Sequence, residues 1–286
     1  MQESDKEEYY SSLDLPENPP ESIELTPDNP PWNSLVAIGT WIVSGLLILL
    51  IPTLFLLPYL MTRNPPIVEN ESLAEFAKND PTAVLLQIIS IIPAHLLTLL
   101  LAWLVVTRFR KFSFRKTLGW ESGGIKWWYY PAILIGFMII ATTVSQFFPE
   151  QDNDLLRILR SSRTAVYFVA FLATFTAPIV EEVIYRGILY SAFQRSVGVP
   201  AAFMLVTFLF ALVHVPQYYP SYSTIFLLVL LSISLTALRV KSKNLLPCII
   251  LHTLFNGFQS IMLVLEPLIN KSEPSAASGF FLHLLR

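Results

Sequence analysis

Residues 164–193 read TAVYFVAFLATFTAPIVEEVIYRGILYSAF. A membrane-spanning helix needs about 20 predominantly apolar residues. This run is long enough, and its only charges are Glu181, Glu182 and Arg186. Six further stretches lack charge altogether: 33–61, 82–107, 127–148, 199–215, 223–238 and 244–265. Each reads as a spanning helix. Pro52 and Pro58 in the first are kinks that a span tolerates. Trp127, Trp128, Tyr129 and Tyr130 open the third as an interfacial aromatic belt. The fold expected is all-α, a polytopic transmembrane bundle of seven to eight helices, the eighth a short one near the C-terminus.

Composition agrees. Of 286 residues, 53% are hydrophobic and 14% charged, and mean hydropathy is +0.55. A soluble domain carries about 25% charge, so a soluble globular protein and a disordered one are excluded. The net charge of −2 offers no basic excess for nucleic acid. The lone Cys248 allows no intrachain disulfide and no cysteine-rich metal site. Residues 1–32 differ from the rest, with nine acids, one base (Lys6) and six prolines. They show no secretory-signal pattern and are expected to form a disordered, acidic, Pro-rich tail. The bundle is expected over 33–265 and a C-terminal tail over 266–286.

Orientation follows from Lys and Arg near the span ends. Arg108 to Lys116, Arg186 with Arg195, and Arg239 with Lys241 and Lys243 follow the second, fourth and sixth spans. All fall on one side, expected to be cytoplasmic and to hold the N-terminus too. No internal repeat points to a transporter.

Ionisable groups inside spans are costly and are functional candidates by default. Here they are His95, Glu181, Glu182, Arg186, His214 and His252, with Asn256 as a further buried polar group. Glu182 and Arg186 are four residues apart, share a helix face and can pair. Glu181 sits about 100° around the helix from Glu182, which leaves it free for chemistry. Pro178 just before it bends the helix and can open space there. Phe210 and His214 share a face, as do His252 and Asn256. The bland readings are a buried polar staple for the acids, a satisfied core imidazole for His214, and an interhelical hydrogen bond for His252 with Asn256.

Counting from a boundary near 195–198, Glu181 and His214 lie at similar depth, roughly 20–25 Å at about 1.5 Å per residue. His252 lies roughly 12 Å from Asn244 on the same rise. All three can meet inside the bilayer. A carboxylate there can take a proton from water. Two His and one Glu also match a zinc site with an open position, so Glu181, His214 and His252 are candidate ligands. Asn256 can donate to an oxyanion.

At these residues the chain resembles the CPBP (Abi) family of intramembrane proteases, which includes CAAX prenyl endopeptidases of the Rce1 type. The family's Glu-Glu-x-x-x-Arg, Phe-x-x-x-His and His-x-x-x-Asn motifs correspond to Glu181 to Arg186, Phe210 to His214 and His252 to Asn256. The resemblance covers about 164–260, and Leu118-Gly119-Trp120 is similar to bacterial members. It implies a helical bundle with a conical cavity open to the cytoplasm, and peptide-bond hydrolysis. Glu181 would activate water and His214 would hold that water or a metal. His252 and Asn256 would stabilise the oxyanion, with Glu182, Arg186 and Phe210 in support. Zinc is a cofactor the resemblance leaves open. His95 matches no motif and is expected to be structural, and His283 to lie at the surface. The implied partners are the lipid bilayer and a membrane-associated protein or peptide substrate, in a bacterial plasma membrane. Two other classes remain at this point: a non-proteolytic immunity or scaffold protein of the same fold, and a proton or ion pathway.

Overall fold

The computed structural model describes residues 25–62 and 72–269, apart from the side chains of 161 and 266–269. The expected short C-terminal helix and His283 lie outside these residues, as does most of the acidic tail.

Seven helices are long and apolar enough to cross a membrane. They are α1 (Ser34–Thr62), α3 (Pro81–Thr107), α5 (Tyr129–Phe147), α7 (Arg163–Val197), α8 (Val199–Tyr218), α9 (Tyr222–Ser242) and α10 (Leu246–Ile269). No strand occurs among the described residues, and the chain is an integral membrane protein of all-α class. Short helices α2 (Leu73–Asn79), α4 (Phe114–Leu118) and α6 (Asp154–Ser161) occupy segments read from sequence as loops. Large apolar side chains such as Leu49, Leu100, Ile139 and Phe208 face outward, as lipid allows and water does not. The fifth span runs three residues past its expected end at 215: Pro216 does not end it, and α8 continues to Tyr218.

α7 lies at the centre, packed by α1, α3 and α10. It is not α-helical throughout. Leu172–Thr176 and Val183–Leu189 are π stretches, and Ala177–Glu182 between them is α. Gly187 is what lets α7 approach its neighbours, because a Cβ there would stand 3.1 Å from Leu118 Cδ2 and 3.4 Å from Leu245 Cδ2. Leu245, the residue before α10, thus packs beside Gly187. The start of α10 lies level with Gly187, so the last turns of α7 project beyond it.

The Leu118-Gly119-Trp120 segment ties this end together. Gly119 has φ +73°, and its carbonyl accepts the N–H groups of Leu245 and Leu246 at 2.8 and 3.2 Å. These are donors at the N-terminus of α10 that would otherwise lack a partner.

Residues 25–32, given to the disordered tail by composition, are instead docked on the projecting end of α7. Trp32 is buried and its indole N–H donates to Ile188 O at 3.0 Å. Asp28 pairs with Arg239 at 2.9 Å and accepts from Gln194 Nε2 at 2.9 Å. One buried cation, Arg239, and a buried aromatic side chain outweigh local composition here. Two residues of the presumed surface clusters are corrected with it: Arg239 is 1% exposed and Arg186 is fully buried. Neither marks an interface. Arg108 to Lys116, Arg195, Lys241 and Lys243 still share one end of the bundle.

Candidate active site

Pro178 begins the local explanation. It lacks an N–H, and its ring abuts the carbonyl four residues earlier, that of Thr174. The chain widens into the π stretch Leu172–Thr176 at this point. Neighbouring helices hold the widened turn. Asn256 Nδ2 donates to Ala173 O at 2.9 Å, Thr174 Oγ1 donates to Ser260 Oγ at 3.0 Å, and His95 Nδ1 lies 2.9 Å from Thr176 Oγ1. The next α stretch presents the two acids.

Glu182 turns into the protein, fully buried with Arg186. Arg186 Nη1 donates to Glu182 Oε1 at 2.9 Å. Its other donors reach α9: Nη2 to Ser232 O and Oγ at 3.1 and 2.8 Å, and Nε to Thr236 Oγ1 at 3.3 Å. The guanidinium carbon lies 4.6 Å from the centre of the Phe210 ring. A buried ion pair persists only when further hydrogen bonds satisfy it, and α9 supplies them. Ser232 and Thr236 went unremarked in the sequence, although they are four residues apart on an oily helix. The same face argument applied to His252 and Asn256 would have found them.

Glu182 Oε1 also receives His252 Nδ1 at 2.8 Å. An ionised carboxylate only accepts, so Nδ1 carries the proton and His252 turns Nε2 the other way. His214 is fixed likewise. Its Nδ1 donates to Phe210 O at 2.7 Å, which gives Phe210 a second role and leaves Nε2 facing away.

Both Nε2 atoms face Glu181. His214 Nε2 lies 3.9 Å from Glu181 Oε1, and His252 Nε2 lies 3.9 Å from Oε2. Three helices, α7, α8 and α10, thus meet at one carboxylate. Glu181 and His214 side chains remain 23% and 18% exposed, against 3% for His252, so the site opens beside Glu181 and His214. Counting in sequence puts His252 roughly 12 Å from Asn244 and Glu181 roughly 20–25 Å from the end of α7, an approximate match in depth. Gly187 tightens the match: Glu181 lies six residues below Gly187 and His252 seven beyond Leu245, roughly 9 and 10 Å at the helical rise.

The donor types suit zinc, but their arrangement does not close on an ion. Two ligand atoms on one tetrahedral zinc stand about 3.3 Å apart, less than the 3.9 Å seen twice here. Among the described residues no group of three His, Cys, Asp or Glu side chains is placed to hold a metal ion. His95 sits on α3 beside this site, 8% exposed.

The chain matches no curated protein and no solved structure. Residues 163–258, which carry Glu181, His214, His252 and Asn256, match the family described as type II CAAX prenyl endopeptidase Rce1-like.

Proposed function

We propose that the protein is an intramembrane endopeptidase that hydrolyses a peptide bond in a membrane-associated protein or peptide, with Glu181 as general base. The observation that carries this reading is the pair of 3.9 Å gaps between the two oxygens of Glu181 and the two imidazole Nε2 atoms. Such a gap is too long for a direct hydrogen bond. A water about 2.8 Å from both atoms of such a pair would see them roughly 90° apart, which suits bonding to each.

The water's proton passes to Glu181 as its oxygen attacks the scissile carbonyl. His214 Nε2 accepts the water's other hydrogen and orients it. Asn256 has a second N–H that Ala173 does not use, available to the developing oxyanion, and His252, when its Nε2 has taken a proton from bulk water before the turnover and keeps it throughout, donates there as well. Glu181 then returns its proton to the leaving amine as the C–N bond breaks, giving a carboxylic acid and an amine. Glu182 and Arg186 hold His252 in place. The basic end of the bundle faces the cytoplasm on this reading, and the membrane is a bacterial plasma membrane.

The test uses purified protein in detergent with internally quenched, membrane-partitioning peptides, with and without a farnesylated cysteine, and products identified by mass. Cleavage by the wild type but not by Glu181→Gln, His214→Ala or His252→Ala is expected. Equal cleavage by all four proteins would end the enzymatic reading. Preference between the two peptide sets defines the substrate class.

A further inference from the structure

Glu181 is aimed by its backbone. Among the described residues no hydrogen bond reaches its carboxylate, and both imidazole nitrogens stand off at 3.9 Å. Its direction is therefore set by what fixes α7 on either side. On the C-terminal side that is the buried Glu182, Arg186 and His252 cluster. On the N-terminal side it is the π turn Leu172–Thr176.

A π turn is rare and holds more backbone per turn than an α turn. Its relaxation to α would turn the flanking residues against each other by about 100°. It persists when its surroundings determine it. From one side α10 supplies Asn256 and Ser260. From the other side, only His95 of α3 forms a side-chain hydrogen bond to it among the described residues, at Thr176. Bond counting sets the direction. The Thr176 hydroxyl has one proton, which goes to Leu172 O at 3.2 Å, so its lone pair receives the His95 Nδ1 proton. Thr176 is five residues before Glu181.

We propose that His95 is a positioning residue: by donating from α3 to Thr176 it holds the π turn that aims Glu181 at His214 and His252. The catalytic part of this claim rests on the hydrolytic reading above. The mechanical part does not.

The test compares His95→Leu, His95→Asn, Thr176→Val and the double variant His95→Leu with Thr176→Val. In His95→Leu and Thr176→Val, kcat on the internally quenched peptide is expected to fall on the order of 10²-fold with KM within about threefold, as misplacement of a catalytic group does. The double variant should be no worse than Thr176→Val, because the His95–Thr176 bond that His95→Leu removes is already gone there. Asn keeps a donor near the place of Nδ1, and His95→Asn should recover most of the lost rate. Amides of 172–181 should exchange with deuterium at least about tenfold faster in His95→Leu and Thr176→Val, and at the wild-type rate in His95→Asn. Wild-type rate and exchange in His95→Leu would overturn the proposal, as would an Asn variant no better than Leu. If the wild type cleaves no peptide, the hydrolytic reading fails by itself. The exchange pattern then decides the pin: protection lost in Leu and restored in Asn supports it, and unchanged protection in Leu overturns it.

Discussion

His252 Nδ1 lies 2.8 Å from Glu182 Oε1, and the other nitrogen of the same ring lies 3.9 Å from Glu181 Oε2. One imidazole thus spans two consecutive acids of different character. Glu182 is fully buried and bonded to Arg186, while Glu181 is partly open and bonded to nothing among the described residues. The two should separate in experiment.

Removing either partner of the buried pair strands the other charge. Glu182→Ala or Arg186→Ala is expected to cost about 3–5 kcal/mol, seen as a large drop in thermal midpoint in detergent. Glu182→Leu combined with Arg186→Met should recover much of that loss, because apolar pairs often replace buried ion pairs without penalty. An alanine variant as stable as wild type would contradict the burial described here.

The N-terminal boundary makes a second prediction. Deleting residues 1–24 should leave the midpoint unchanged. Deleting 1–32 should lower it, because Trp32, Asp28 and their bonds to α7 and α9 go with it. Trp32→Phe alone should cost about 1 kcal/mol through the lost indole bond. Equal midpoints for the two deletions would show that residues 25–32 do not hold the bundle.

Glu150 gives a pH signature away from the site. It lies between α5 and α6 and accepts from Asn153 Nδ2 and Thr224 Oγ1, each at 3.3 Å. Burial pushes its carboxyl above the usual 4.5, against the pull of those bonds and of Arg160. The folded protein therefore holds this proton more tightly than the unfolded chain. Stability from this group is present below the unfolded value and is lost as pH rises through the folded one. Glu150→Gln should be more stable than wild type above that window and equal to it below. A wild-type midpoint that rises with pH relative to Glu150→Gln would reverse the sign.

Cleavage should survive EDTA and 1,10-phenanthroline, since the imidazoles stand too far from Glu181 to share one ion with it. Loss of activity with chelator, restored by zinc, would show that the three side chains tighten around a metal.

The seven spans were legible because lipid demands long apolar runs. Glu181, Glu182 and Arg186 were legible because charge inside such a run is costly. Helix ends were less so. Arg186 and Arg239 read as interface markers because sequence shows a charge but not the distant partner that buries it, Ser232 and Thr236 for one and Asp28 for the other. The π stretches leave no periodic trace in 35 residues that are apolar on nearly every face, and Pro178 alone hinted at the first. His95 could be dismissed because its partner, Thr176, lies 81 residues away.

The central claim is that Glu181 takes the proton from an attacking water. The most direct measurement is kcat of Glu181→Gln beside its affinity for the same peptide. The account predicts a fall of about 10²–10⁴-fold, the contribution of a general base, with affinity and thermal midpoint essentially unchanged. A variant that turns over the peptide at the wild-type rate would contradict it.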